Sequence, residues 1–221
     1  MRKLLFITIV MVSLFGCKEK QKEEDRDNNP ENAGIETPAV KIDSTLITDT
    51  SWGPITRNMN YGDLQAAYGS ANVTNERICG AECADSVDVT IINAQKPSQI
   101  TVYWKDSAYH KKIAFLECFD DNAPYHTSDS IKAGSTLADL VRVNGQKITF
   151  WGFSWDYGGT IISFNKGKFE NSPINYRIML SGDYNVSDGL DGEIELTTDM
   201  AKVKKALDRI KIYYLSLSFA D

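Results

Sequence analysis

A fifteen-residue stretch occurs twice, 76 positions apart, and restricts the folds open to this chain more than any other feature. Residues 55–69 and 131–145 align without a gap: Ile55 matches Ile131, Asp63 matches Asp139, Leu64 matches Leu140 and Gly69 matches Gly145. Tyr61 and Leu137 are both large and apolar. Such self-similarity marks one small unit used twice. Each copy reads as a short helix. Asn60, or Ser135 with Thr136, offers an N-cap oxygen. Tyr61, Leu64, Ala67 and Tyr68, and again Leu137, Leu140 and Val141, recur at helical spacing. Asp63 and Asp139 fall in the first turn, where the helix dipole favours an anion. Gly69 and Gly145 fall where a left-handed residue ends a helix. A helix of about ten residues is marginal alone, so its apolar face must lie on something.

Strands supply that surface. Residues 87–91, 100–104 and 113–119 follow the first helix, and 148–155, 160–164 and 174–180 follow the second. A last helix is expected over 199–209, with Met200, Val203, Leu207 and Ile210 on one side. A closing strand is expected over 212–219, with Tyr213, Leu215, Leu217 and Phe219 alternating onto one face. The fold class is therefore α+β: two tandem units of short helix packed on antiparallel sheet, 52–125 and 126–221.

The N-terminus is organised differently. Arg2 and Lys3 precede an apolar segment, Leu4 to Phe15, then Gly16 and Cys17. That is the order of a secretory signal, and the apolar stretch is short for a spanning helix. Leu14-Phe15-Gly16-Cys17 resembles a bacterial lipobox. The resemblance implies removal of residues 1–16 and attachment of palmitate-like acyl chains at Cys17, which hold a protein to a membrane far better than one chain does. An uncleaved anchor is the alternative, against which charge resumes at once at Lys18. Residues 18–31 hold ten charged residues and no apolar one, so 17–51 is expected to be a disordered tether. Lys22-Glu23-Glu24-Asp25 resembles the export tag of Bacteroidota surface lipoproteins, or is plain solvated linker. Asp43-Ser44-Thr45 resembles the O-glycosylation motif of the same phylum and is expected on the tether.

Charge limits the partners. The formal charge is −6, and it becomes −8 when Arg2 and Lys3 leave with the signal segment. A nucleic-acid binder needs a basic surface, so nucleic acid is excluded. A net-anionic body should stand off an anionic lipid surface on its tether. Hydrophobic residues at 42% and charged residues at 24% exclude wholesale disorder.

Gly134, Leu140 and Gly145, leading from a helix into a meander, resemble the tandem helix-on-sheet units of β-lactamase-inhibitor proteins and of the SmpA/OmlA (BamE) outer-membrane lipoproteins. Residues 131–140, Gly152 to Gly159 and Leu180 to Tyr184 together resemble an uncharacterised group of Bacteroidota outer-membrane lipoproteins, over roughly 52–219. The resemblance implies an architecture and an outer-membrane address, periplasmic or surface-exposed, and no activity.

Three clusters are candidate sites. Trp151, Phe153, Trp155 and Tyr157 alternate with small and polar residues, so on a strand all four project to one face. That face is either core beneath the helices or a platform, with Asp156, for a protein or a sugar. A mixed arrangement has the last rings emerging at the 156–159 turn. Asp183, Asn185, Ser187, Asp188, Asp191 and Glu193 crowd one stretch, which reads either as an irregular calcium loop or as a polar turn. Its spacing is not that of an EF-hand, since Asp188 stands where glycine is required and Ile194 where glutamate is. Cys79, Cys83 and Cys118 are disulfide candidates in an exported chain. Cys79 and Cys83 can close a tight loop and leave Cys118 buried, or Cys118 can pair with either. No nucleophile-elbow, zinc-protease, phosphate-loop or dinucleotide motif occurs. The expectation is a non-enzymatic, lipid-anchored binding or inhibitor-like protein without cofactor, whose partner is an envelope protein or, alternatively, a glycan.

Overall fold

The repeated stretch folds as the same helix twice. In the computed structural model, which describes residues 42–79, 86–182 and 189–219, helix α1 spans Tyr61–Tyr68 and helix α2 spans Leu137–Asn144. Both open on a reciprocal capping box. The Asn60 side chain accepts from the Asp63 N–H at 3.1 Å and the Asp63 carboxylate accepts from the Asn60 N–H at 2.9 Å. Thr136 and Asp139 repeat the exchange at 3.1 and 3.3 Å. The exits differ. Gly145 closes α2 in the left-handed region, whereas Gly69 combines φ 84° with ψ 135° and leads α1 into a tight turn at Ser70–Asn72.

Each helix is followed by a meander. The first is β4 (Val73–Cys79), β5 (Ser86–Ile92), β6 (Ile100–Trp104) and β7 (Ile113–Cys118), all antiparallel. The second is β9 (Thr149–Trp151), β10 (Ile161–Ser163), β11 (Ile174–Leu180) and β13 (Ile210–Ser218). A single bridge, Thr160 to Arg177, links the β10 end to β11, and β12 (Glu195–Thr197) is added on the far edge of β9. The final strands of the two meanders pair with each other, Leu217 opposite Leu116 and Leu215 opposite Cys118. One six-stranded sheet results, in the order β11-β13-β7-β6-β5-β4, and the halves on either side of residue 125 meet inside it. Leu64, Leu137 and Leu140 from the helices join Val102, Leu116, Leu215 and Leu217 from the sheet in one buried cluster.

Other elements depart from expectation for local reasons. The tether was expected to reach residue 51, yet β1 (Leu46–Ile47), β2 (Ser51–Trp52) and β3 (Ile55–Thr56) form a small sheet with β8 (His126–Thr127). Ile47 and Trp52 are fully buried there, and two-residue strands leave no periodicity to read. The last helix shrinks to one turn, α3 (Ala201–Lys204), which has no side-chain cap and leaves Met200 exposed. β4 was not expected, because its polar sequence is that of a solvated edge strand. Residues 1–41 lie outside the described body, and with them Cys17.

Each capping box holds two otherwise unpaired helix donors. Asn60→Ala and Thr136→Ala are each expected to cost about 1 kcal/mol, read as a fall of roughly 2–4 °C in Tm by thermal circular dichroism. The double variant should show the sum, since the two caps share no partners.

Candidate functional site

Alternation divides the six-stranded sheet into two faces. Val102, Leu116, Leu215 and Leu217 belong to the core cluster. Their neighbours Thr101, Tyr103, Phe115, Glu117, Tyr214 and Ser216 lie outside it, on the opposite face. A bulge enlarges that second face. Arg177 of β11 pairs with Tyr214, but the next residue, Ile178, pairs with Ile212, which leaves Tyr213 as an extra residue in β13. Ile210 and Ile212 are therefore buried on one side of the bulge and Leu215 and Leu217 on the other, while Tyr213 and Tyr214 both turn outward. Tyr213 thus leaves the apolar row it was expected to share with Leu215 and Leu217.

Glu117 occupies the middle of this face. Its direct cross-strand neighbours are Thr101 and Ser216, whose small side chains leave a hollow over the carboxylate. Two phenols reach across diagonally: Tyr103 Oη donates to Oε1 at 2.6 Å and Tyr214 Oη donates to Oε2 at 3.3 Å. Tyr103 is held by stacking on Phe115 at 4.1 Å, and Tyr214 by a tilted contact with Phe119 at 4.6 Å. Glu117 is only 8% exposed, and among the described residues no cation forms an ion pair with it. Burial pushes its pKa up, and the hydrogen bonds from Tyr103 and Tyr214 pull it partly back. Burial also pushes the Tyr214 phenol up to about 12, and raises Tyr103 further with the help of its bond to Glu117.

The hollow is part of a cleft of about 790 Å³ lined by Thr101, Glu117, Phe119, Asp120, Met179 and Tyr213. A second cleft of about 320 Å³ is lined by Phe153, Trp155, Arg177, Met179 and Tyr213. Met179 and Tyr213 border both, so the two clefts adjoin across β7, β13 and β11, and together they are termed the groove.

The aromatic cluster read from the sequence reaches the end of this groove, though not as a strand. β9 stops at Trp151, Phe153 bridges to Asp191, and Ser154 at φ 65° starts a turn. Phe153 is buried, Trp151 and Trp155 are half-buried, and Tyr157 is 64% exposed. Trp155 stands edge-on to Trp151 at 5.6 Å and to Tyr157 at 5.3 Å. Asp156 is exposed and offers its carbonyl, which accepts from Arg177 Nη2 at 3.0 Å. Gly159 closes the turn at φ 71°, so near β11 that a Cβ would lie 1.7 Å from the Ile178 carbonyl oxygen.

The remaining candidates lie elsewhere. Cys79 is disulfide-bonded, and Cys83 lies outside the described residues. Cys118 is no disulfide partner: it is free, faces the core, and has its thiol pKa raised by burial. Asp183, Asn185 and Asp188 lie outside the described residues. Asp191 accepts a hydrogen bond from Ser154 Oγ at 2.8 Å, and among the described residues no three His, Cys, Asp or Glu side chains gather as metal ligands. Thr45 is folded at the head of β1 and donates to Asp43 at 2.7 Å, so the glycosylation-like motif is not on a loose tether.

The chain matches no protein-family profile and no curated protein. It is similar to a crystal structure of the uncharacterized protein yfeY from Escherichia coli at 12% identity, covering 79% of this chain and 100% of that one, with a TM-score of 0.48. No helix among the described residues is long and apolar enough to cross a membrane.

Glu117 links stability to pH with a definite sign. Its folded pKa lies above the unfolded value, so between the two the native state holds more protons and stability falls as pH rises through that window. Glu117→Gln removes the cost of the buried charge. It is expected to raise Tm at pH 7 by roughly 2 °C, with the gain vanishing below the unfolded carboxyl pKa. A variant less stable than the parent at pH 7 contradicts this account.

Proposed function

We propose that this chain is a lipid-anchored envelope lipoprotein that acts as a non-enzymatic binding protein and holds a protein partner in the groove over the β7–β13 junction. The observation that carries this reading is the groove itself: two adjoining clefts on the side of the sheet away from the core, bordered by Phe119, Met179, Tyr213 and Trp155. Phe119 and Met179 are 54% and 42% exposed, and aromatic and methionine side chains so placed suit a protein interface. The chemistry favours holding over turnover. Both oxygens of Glu117 are engaged by phenols, those phenols are poor bases at neutral pH, and the Cys118 thiol beside them is buried, which raises its pKa. The lipobox-like sequence at Cys17 supports mooring to the outer membrane, and the charged segment that follows supports stand-off from it.

A glycan is the second reading, favoured by the exposure of Tyr157 beside Trp155. Edge-to-face contacts occupy much of the three-ring cluster, so Tyr157 is the ring most open to a sugar.

Metabolic palmitate labelling is expected to mark the parent and to be lost in Cys17→Ser. A photoreactive phenylalanine at Met179 should crosslink one discrete envelope protein, whereas the same group at exposed Met200 should not. Equal crosslinking at both positions counts against the groove. A polysaccharide that changes tryptophan emission in the parent and not in Tyr157→Ala transfers the function to glycan binding.

A further inference from the structure

We infer that the groove recognises a cation, the lysine or arginine side chain of a basic segment of the partner, with Glu117 as its buried counter-ion. This rests on the binding reading above and names what is bound. The first argument is electrostatic. A buried carboxylate without a cation loses hydration that only donors or a counter-charge can replace. Two phenol hydroxyls compensate Glu117 in part, and each supplies one donor where an ammonium or guanidinium supplies several. An incoming cation supplies the missing charge.

The second argument is the distribution of charge along the groove. Glu117, Asp120 and Asp121 line the larger cleft, with Lys96 as its cation. Lys96 Nζ donates to Asn72 Oδ1 at 3.0 Å and, among the described residues, forms no ion pair with these acids. At the other end, Arg177 is held by the carbonyls of Asp156 and Gly158. Acids therefore outnumber cations in the larger cleft, and the body's net negative charge favours approach of a basic partner.

The third argument is the rings. Tyr103 and Tyr214 bond the carboxylate, Phe119 packs on Tyr214 and lines the cleft, and aromatic faces attract desolvated cations. The groove already contains one such contact, with the Arg177 guanidinium 6.0 Å from the centre of the Tyr213 ring. A cleft of about 790 Å³ is far larger than one side chain, which suits a peptide segment laid across the strands with its basic residue turned down.

The test is fluorescence anisotropy on the Cys17→Ser chain with labelled nonapeptides carrying a central arginine, and with the same peptides carrying neutral, isosteric citrulline. The arginine peptide should bind at least about tenfold more tightly. Glu117→Gln, expected to fold at least as stably as the parent, should erase that preference. Asp199→Asn, which removes an exposed charge outside the groove, should leave it intact. An equal loss in Asp199→Asn and Glu117→Gln overturns the proposal in favour of diffuse attraction. Equal affinity for arginine and citrulline peptides overturns the counter-ion role and leaves the groove as a binding site. If neither peptide binds while Met179 crosslinks persist, the cation is wrong and the partner reading stands. If the crosslinks fail as well, both are wrong.

Discussion

The pairing of β7 with β13 is the contact on which the rest of this architecture depends. Each repeat can build a helix and an antiparallel meander from its own residues, but each meander ends on an open strand. Joining those ends buries two edges at once and lets Leu116, Leu215 and Leu217 extend a single core beneath both helices. It also creates a surface that neither repeat has alone. Glu117 lies on the last strand of the first repeat, and Ser216 and Tyr214 lie on the last strand of the second. The site is therefore a product of the junction.

A stable sheet does not need what this junction carries. A bulge costs ladder hydrogen bonds, and a buried carboxylate costs hydration. Here the two occur together: the bulge at Tyr213 brings Tyr214 over Glu117 and opens the hollow toward Arg177. Devices that spend stability at one place, when the surrounding fold is regular, belong at functional sites more often than elsewhere. The Trp155–Gly159 turn has the same character, since glycine alone fits where the chain meets the Ile178 carbonyl.

How much of this was legible in the sequence depends on whether a feature is local. The two helices were readable because caps and spacing are local signals, although each has eight residues where about ten were expected, and Gly69 does not take the left-handed conformation that Gly145 does. The strands over 100–104 and 174–180 were readable for the same reason. The short sheet around Trp52 was not, because strands of two residues have no period. The aromatic row was misjudged as a strand because Ser154 takes a positive φ that its neighbours do not announce. Glu117 was missed although its signal was present: one acid in the otherwise apolar run 113–119. The bulge had a signal as well, since Ile210 and Ile212 fall on even positions and Leu215 and Leu217 on odd ones. Neither could be placed without knowing that β7 and β13 are partners.

A duplicated scaffold should give a symmetric groove, and this one is polar from end to end. The antiparallel pairing relates β7 to β13 by an approximate twofold axis. Matching Leu116 to Leu215 or to Leu217 places Glu117 against Ser216 or Ser218, so its counterpart is a serine in either alignment. The asymmetry therefore lies in the side chains at the junction as well as in the flanking strands, three beyond β7 and one beyond β13. The first repeat contributes the acid with Tyr103 and Phe115, and the second contributes Arg177 with the Trp155 turn. An acidic end and a basic end give the surface a direction. If the groove binds as proposed above, a segment that satisfies both ends in one orientation sets like charge against like charge in the other, and binding and orientation have one cause.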